Sequence, residues 1–185
     1  LKYKCDKLFL RDFNRSWFMS GSRGSKPIEN LMRTIRNHMH PRHKRIVAIG
    51  ASSGGYNSIL LGHMMGMQEC IAFAPQTVIN PNEMKLMGDG RWRETSERVF
   101  RNTHKNDRKY LDLRNITSSK NFRMKTTIYV SNEMDERHAD RISKGNSRIE
   151  KIVIHAGEKY TNTHLTALIM KEKKILQKVF DELKL

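Results

Sequence analysis

The stretch "RIVAIGASSGGYNSILLGHMM", Arg45 to Met65, decides the fold class predicted for this chain. A run of apolar residues leads into a turn rich in glycine and serine, and a segment with helical spacing of apolar residues follows at once. An apolar run without alternation is typical of a strand in a parallel sheet that is covered on both faces. The stretch therefore predicts a buried strand at 45–50, away from the sheet edge, then a sharp turn and a helix at 54–67.

The same alternation of apolar runs and amphipathic segments continues on both sides of this stretch. Further apolar runs predict strands at 7–11, 69–74, 125–131 and 150–155. Helical spacing predicts a helix that starts near Ser25 and Pro27, and others over 94–102, 136–143 and 163–183. Because strands alternate with helices, we predict an α/β fold. Its mostly parallel sheet should have five strands or slightly more, with helices on both faces.

The segment 76–124 interrupts this alternation with Pro81, Gly88, Gly90 and many charged residues. We predict a single domain over 1–185, since 185 residues suit one hydrophobic core. The segment leaves the sheet after one strand and returns before the next. It does so at the C-terminal edge of the sheet, where the turn that contains Ser52 is exposed. We therefore interpret 76–124 as an insertion that forms a lid or pocket wall.

Charge is the unusual feature of the composition, with 35 Lys and Arg against 19 Asp and Glu, a net charge of +16. Such an excess attracts polyanions, anionic membranes or acidic substrates, and it says little about the fold. The densest basic region lies in the insertion and comprises Arg91, Arg93, Arg98, Arg101, Lys105, Arg108, Lys109 and Arg114. A solvated basic face is the first interpretation. Recognition of an anionic substrate is the alternative, and nucleic acid is not favoured.

Several classes of protein are disfavoured by what the sequence lacks. No apolar run approaches the ~20 residues that span a bilayer, and the first residues show no signal-peptide pattern. Cys5 and Cys70 make neither a disulfide framework nor a zinc pattern, which fits a reducing, cytoplasmic compartment. His38, His40 and His43 lie close together without a nearby carboxylate or cysteine, so we predict no metal. No cofactor is predicted either, and the sequence makes no prediction about oligomeric state.

The turn Gly50-Ala51-Ser52-Ser53-Gly54 fits the pattern G-x-S-x-G in the strand-to-helix context that this motif requires. The serine of such a turn occupies a strained backbone position, so its neighbours must be small. Ser52 is the predicted nucleophile, and the backbone N–H of Ser53 is a predicted oxyanion donor. Ser53 as nucleophile, an anion-binding turn and plain chain reversal are the alternatives. Neither a dinucleotide fingerprint nor a P-loop is present.

Acidic residues and histidines follow the next predicted strands in the chain order Ser, acid, His that α/β-hydrolase triads use. Asp135 is preferred to Glu133 as the acid, although either could cap the helix that follows. His164 is preferred to His155 as the base, because it lies in the loop before the last helix, where its ring can reach the serine. The sequence thus predicts a triad in which Ser52 attacks, His164 moves the proton and Asp135 orients the ring.

These segments together resemble compact α/β-hydrolases, in particular small bacterial-type hydrolase-like proteins that are sometimes encoded near polysaccharide biosynthesis functions. The matching segments follow one another along nearly the whole chain: "LFLRDFNRSWFMSG", "IGASSGGYNSILLG", "AFAPQT", "RW" at 91–92, "YLDL" at 110–113, "DERHADRI" and "HLTALIMKEKKIL". The resemblance implies a second oxyanion N–H from the loop around Asp12 and Phe13, with Trp17 at the pocket mouth. It also implies that Asp12, Trp17, Arg91 and Trp92 contact substrate.

The turn alone is also similar to that of chemotaxis receptor methylesterases. That family places a histidine after the next strand, whereas here no histidine follows until His104. We therefore rank this resemblance second. The function expected is that of a serine hydrolase or acyl transferase acting on an ester, thioester or acyl-glycan substrate, which could be anionic. The alternative is a non-catalytic hydrolase scaffold that binds an acidic glycan, nucleic acid or a protein through its basic surface.

Overall fold

The computed structural model of the chain describes residues 3–19, 27–160 and 163–183. Its sheet has four strands, which follow the order of the chain and pair in parallel throughout. The strands are β1 (Val47–Ala51), β2 (Glu69–Phe73), β3 (Lys125–Val130) and β4 (Ile149–Val153). A helix lies in every connection between strands, as parallel pairing requires. The predicted α/β class with a parallel sheet is confirmed.

Eight α-helices lie within the described residues: α1 (Pro27–His38), α2 (Ser53–Met64), α3 (Pro81–Leu86), α4 (Arg93–Asn102), α5 (Arg114–Thr117), α6 (Glu133–Ser143), α7 (Thr166–Glu172) and α8 (Ile175–Glu182). Two 3₁₀ turns cover Lys105–Leu111 and Glu158–Tyr160. The predicted start at Pro27 agrees with α1, and Ser25 lies outside the described residues. None of the described helices is long and apolar enough to cross a bilayer.

Alternating side chains of the strands divide the core between the two faces of the sheet. On one face Cys70, Ala72 and Ile128 pack with residues of α1, α2 and α6. On the other face Phe73 and Tyr129 stack with their ring centroids 5.6 Å apart, and α7 and α8 cover them. Helices on both faces explain why the strands are apolar on both sides.

The predicted strand at 7–11 is wrong. These residues form irregular backbone and pair with no strand of the described chain, so the sheet has four strands rather than five. Phe9 is 84% exposed and Leu8 is 49% exposed. A short apolar run in the sequence shows only that its residues are apolar, and it does not show whether they pair with another strand. A strand also needs a neighbour to accept and donate its backbone hydrogen bonds, and none of the described strands pairs with this segment.

The predicted position of the strand at 45–50, away from the edge of the sheet, is also wrong. Among the described residues β1 has β2 as its one neighbour, and its Ile49 is 41% exposed. Hydropathy reflects how the two faces of a strand are covered. Whether a second strand pairs along its free edge depends on other parts of the fold, which the local sequence does not record.

The single predicted helix over 163–183 is two helices. Lys174, in the left-handed conformation at φ 59°, separates α7 from α8. The bend allows Ile169 and Met170 of α7 and Val179 of α8 to enter the same core, while Leu168 stays 42% exposed. Apolar spacing continues through the break, so periodicity could not reveal it.

The segment 76–124 is more ordered than its composition suggested. It contains α3, α4, a 3₁₀ turn and α5, and its buried side chains include Met84 and Val99. An antiparallel bridge between Val78 and Asp112 brings its first and later parts together. The segment begins directly after β2, at the carboxyl end of the sheet. Its role as a lid or pocket wall stays a prediction.

Candidate active site

The carboxyl ends of the four strands bring together one polar residue from each following loop or helix. Ser52 follows β1 directly, and Gln76 comes three residues after β2. Asp135 lies in the first turn of α6, after β3, and His164 precedes α7, after β4. Parallel strands place all their carboxyl ends at one edge, so residues separated by more than 80 positions in sequence become neighbours.

The turn at Ser52 is as strained as the G-x-S-x-G pattern requires. Ser52 has φ 54° and ψ −121°, and its N–H donates to the carbonyl of Phe73 at 2.9 Å. A Cβ on Gly50 would lie 2.2 Å from the carbonyl oxygen of Gly54, so only glycine fits at position 50. Ser52, rather than Ser53, thus holds the strained position, and Ser53 is the first residue of α2.

The glycines of the turn are not equivalent. A Cβ on Gly55 would lie 3.0 Å from the Cβ of Pro75, whereas a Cβ on Gly54 would meet nothing within 4 Å. The close approaches therefore require small residues at positions 50 and 55. Gly54 contributes its carbonyl to the first of these contacts and tolerates a side chain of its own.

His164 and Asp135 form a hydrogen-bonded pair. Nδ1 of His164 lies 2.9 and 2.8 Å from the two carboxylate oxygens of Asp135. The Asp135 side chain has no exposed surface, and that of His164 is 21% exposed. Asn132 caps α6 by accepting from the Asp135 N–H at 2.9 Å, and its amide donates to the carbonyl of Thr163 at 2.9 Å. One asparagine therefore fixes the loops that carry both residues.

The alternatives left open by the sequence lie elsewhere. The Glu133 side chain is 76% exposed and pairs with Arg137. His155 is exposed at the end of β4. Neither has a contact with Ser52 in the described structure, so the geometry favours Asp135 and His164.

Gln76 lies between the serine and the histidine. Its Nε2 is 3.0 Å from Oγ of Ser52 and 3.4 Å from Nε2 of His164. Its Oε1 accepts from the indole N–H of Trp17 at 3.4 Å. Among the described residues, no hydrogen bond joins Ser52 directly to His164, although His164 was expected to reach the serine. Gln76 was not singled out from the sequence, although a polar residue in the loop that follows a buried strand was a usable signal.

Arg91 links this site to a second, fully buried acid–histidine pair. Its guanidinium donates to Oδ1 of Asp135 at 2.9 Å and to both carboxylate oxygens of Asp89 at 2.9 Å. Oδ2 of Asp89 lies 2.8 Å from Nε2 of His138. Nδ1 of that ring accepts from the Thr77 N–H at 3.0 Å, which assigns the ring proton to Nε2. Neither Asp89 nor His138 was singled out from the sequence.

Both carboxylates keep their negative charge for the same physical reason. Burial by itself would raise the pKa of Asp135. The hydrogen bond and charge of His164, together with those of Arg91, outweigh burial and lower that pKa. Burial would likewise raise the pKa of Asp89, but hydrogen bonds from His138 and Arg91 hold it well below its ordinary value. The site therefore contains two carboxylates that are ionised at neutral pH and are joined by one cation.

The loop before α1 holds three of the residues singled out by the resemblance. The carboxylate of Asp12 accepts from the backbone N–H groups of Asn14, Ser16 and Phe18 at 3.1, 2.6 and 3.0 Å. These bonds organise the loop and occupy the carboxylate, which was expected to contact substrate. The Phe13 side chain is 81% exposed.

Of the two tryptophans that the resemblance places at the substrate, Trp17 lies elsewhere than expected. Trp17 is 4% exposed, so it supports Gln76 from inside and does not line a pocket mouth. Trp92 is 41% exposed at the start of α4, beside Arg91.

The arginines expected to meet an anionic substrate are largely engaged within the protein. Arg91 bridges Asp89 and Asp135, and Arg93 pairs with Glu97 along α4. Arg98 donates to the backbone carbonyls of the loop at Asn14 and Arg15, at 3.3 and 3.4 Å. The segment 76–124 is therefore tied both to the acid of the site and to the loop before α1.

The other candidate sites lie away from the carboxyl ends of the strands. A cavity of about 500 Å³ opens at the opposite, amino end of the strands, where Arg123, Lys125 and Arg148 line it. His43 pairs with Asp6 at 2.7 Å. No group of three histidine, cysteine or acidic side chains within the described ranges is placed to hold a metal ion.

No protein-family model matches the sequence, and a search of curated proteins finds no match. Solved structures are similar at the level of the fold. The capsule O-acetyltransferase of Neisseria meningitidis serogroup A is 14% identical, with 90% of this chain and 68% of that chain covered at a TM-score of 0.61. A lipase-esterase related protein from Clostridium acetobutylicum is 14% identical, with coverages of 88% and 79% and a TM-score of 0.51.

A carboxylesterase structure from Nitrososphaera gargenis is 13% identical, with coverages of 88% and 74% and a TM-score of 0.51. Identities this low support a shared fold and no closer relationship. The chain has a hydrolase-like α/β fold, in a form whose described sheet has four strands.

Proposed function

We propose that the protein is a serine acyl transferase or esterase that uses Ser52, His164 and Asp135. The observation that carries this proposal is the buried Asp135–His164 pair at the same sheet edge as a serine in a strained strand-to-helix turn. The similarity in fold to a capsule O-acetyltransferase and to carboxylesterases supports acyl chemistry, because the names of those proteins denote acetyl transfer and ester cleavage.

In the first half-reaction, Oγ of Ser52 attacks the carbonyl carbon of an ester or thioester donor. Nε2 of His164 accepts the hydroxyl proton as the new C–O bond forms. Collapse of the tetrahedral intermediate breaks the bond to the leaving alcohol or thiol, which takes the proton from His164. The product of this step is an acyl ester on Ser52. Asp135 stabilises the imidazolium, and its lowered pKa keeps it ionised throughout.

The negative oxygen of the intermediate needs hydrogen-bond donors that are already in place. The N–H of Ser53 belongs to the first residue of α2, where the helix N-terminus adds positive potential. The N–H of Phe13, in the loop organised by Asp12, is the proposed second donor. We assign to the segment 76–124 the role of a pocket wall, because its Arg91 contacts the acid of the site directly.

In the second half-reaction, a hydroxyl attacks the carbonyl carbon of the acyl ester while His164 removes its proton. The bond between that carbon and Oγ of Ser52 then breaks, and His164 returns the proton to Oγ, which regenerates Ser52. We favour a glycan hydroxyl over water as the acceptor, and an anionic glycan over a neutral one. The net charge of +16 attracts such a polymer. The proposed preference is testable, since attraction by exposed charges is screened over roughly 8 Å at physiological salt. Transfer to an anionic glycan should fall with salt more steeply than transfer to a neutral one.

A fluorophosphonate probe, which phosphonylates an activated serine, tests the proposal. We expect wild-type protein to be labelled at Ser52 and Ser52→Ala to lose the label. Ser147→Ala, an exposed serine at the amino end of the sheet, is the matched control and should be labelled like wild type. Loss of the label in Ser53→Ala, but not in Ser52→Ala, would move the nucleophile to Ser53. An unlabelled wild-type protein would contradict the proposal.

A non-catalytic binding scaffold is the second candidate, and one observation favours it. Gln76, and not His164, is the hydrogen-bond partner of the Ser52 hydroxyl. In that case the protein would bind an acidic glycan in a salt-sensitive way. Ser52→Ala would bind as wild type does, and neither protein would turn over an acyl donor.

A further inference from the structure

The geometry points to a second role at the site, which rests on the proposed function. We propose that Gln76 is a specificity-determining residue that closes the proton path between Ser52 and His164 and so protects the site from hydrolysis. A bound glycan acceptor would move its carboxamide aside, whereas water would not.

The orientation of the Gln76 amide follows from its partners. The indole N–H of Trp17 can only donate, so the atom that faces it must be the carbonyl oxygen Oε1. The NH₂ group therefore faces His164 and Ser52, and Oε1 also lies 3.3 Å from Oγ of Ser52, whose hydroxyl can donate to it. Gln76 is 1% exposed, so its amide is held by these contacts and not by solvent.

This amide occupies the lone pair on which catalysis depends. Nδ1 of His164 lies 2.8 Å from Asp135, which places the ring proton there and leaves the lone pair on Nε2. One N–H of Gln76 points to that lone pair, and the other donates to Oγ of Ser52. An amide N–H cannot accept a proton from a serine. In this arrangement His164 therefore cannot act as a base on Ser52.

The Nε2 atom of Gln76 also occupies the place of the incoming acceptor. An attacking oxygen must lie within hydrogen-bond distance of Nε2 of His164 and close to the carbon bonded to Oγ of Ser52. The amide nitrogen lies 3.4 and 3.0 Å from those two protein atoms. Acceptor and amide cannot occupy this place together.

The energetic difference between acceptors follows from this competition. A water molecule that displaced the amide would only replace the hydrogen bonds it broke. A glycan binds with its whole surface, and that binding energy can offset the cost of moving Gln76. A site of this kind reacts slowly with an acyl donor or with water while Gln76 is in place, and it transfers acyl groups once a large acceptor has displaced the amide.

The test compares wild type with Gln76→Ala in water, with p-nitrophenyl acetate as donor and no glycan present. Two signals are followed: the burst of nitrophenol, which reports acylation of Ser52, and the steady rate, which reports hydrolysis of the acyl-enzyme. The labelling rate of the fluorophosphonate probe is measured in parallel. Removing the two hydrogen bonds of the amide should raise all three rates about tenfold or more.

The variants are chosen so that the outcome can be interpreted. Gln68→Ala, an exposed glutamine at the amino end of β2, is the matched control and should not change the rates. Gln76→Asn keeps an amide but is too short to reach both partners, so it should raise the rates even if the alanine variant folds poorly. Thermal unfolding reports whether each variant is folded.

The outcomes separate the two proposals. Equal or lower rates in folded Gln76→Ala and Gln76→Asn, with a reactive wild type, would overturn the gate and leave the proposed acyl chemistry intact. A wild type and variants that all fail to react with both reagents would overturn the acyl chemistry, and the gate with it.

Discussion

Nη1 of Arg91 lies 2.9 Å from Oδ1 of Asp135, the carboxylate that also holds His164. Arg91 comes from the segment 76–124, 44 positions before Asp135 in the sequence. The same guanidinium holds Asp89, so one side chain joins the segment to the proposed catalytic acid and to a buried acid–histidine pair. The segment and the site should therefore form one cooperative unit.

Arg91→Gln should destabilise the protein by about 3 kcal/mol, because it leaves two buried carboxylates without their shared cation. Urea unfolding at neutral pH measures this loss. Arg93→Gln is the matched control. Its exposed pair with Glu97 lies in the same helical region, and its loss should change stability by less than about 0.5 kcal/mol. Equal effects of the two substitutions would show that the Arg91 network contributes no more than a surface ion pair.

Stability should fall in acid partly because of Asp89 and Asp135. Both have a pKa below the ordinary value in the folded protein, so their contribution is complete above the unfolded pKa, near pH 4. It is lost as the pH falls from there through the folded pKa. Urea midpoints between pH 7 and pH 2 should show this decline. The Asp89→Asn variant should start lower and decline less steeply below pH 4. A parallel decline in both proteins would contradict the assignment.

Gly50→Ala and Gly54→Ala should differ sharply although both change a glycine of the same motif. The first places a Cβ 2.2 Å from a backbone oxygen and should cost about 3 kcal/mol or more, while the second enters open space at the start of α2. Gly54→Ala should be neutral or slightly stabilising, since alanine favours helix. Thermal unfolding of the pair is the measurement. Comparable losses would mean that the turn differs from the one described.

Ser52→Gly should stabilise the protein while it removes labelling by the probe. Ser52 holds φ 54° and ψ −121°, which glycine adopts with little strain, so we expect a gain of about 1 kcal/mol. Ser53→Gly, one residue further on in α2, should instead cost about 0.5–1 kcal/mol. A destabilised Ser52→Gly would indicate that the serine conformation is relaxed.

Much of the fold followed from local patterns. Four of the five predicted strands, near 45–50, 69–74, 125–131 and 150–155, are present, because a buried strand must be apolar on both faces. The helix predicted at 94–102 corresponds to α4, which begins at Arg93. The strand at 7–11 failed because pairing is a property of two segments. The helix at 163–183 failed because a bend at Lys174 leaves the apolar spacing intact.

The sequence by itself determined the strained turn at Ser52, because the small residues needed for close backbone contact are adjacent in the chain. It also determined the order of serine, acid and histidine after successive strands. Only the tertiary structure decided what lies between them. Gln76 separates Ser52 from His164 and Arg91 contacts Asp135, because parallel pairing gathers the carboxyl ends of distant strands at one edge. Neighbours of that kind are set by strand order and helix packing, and no local pattern encodes them.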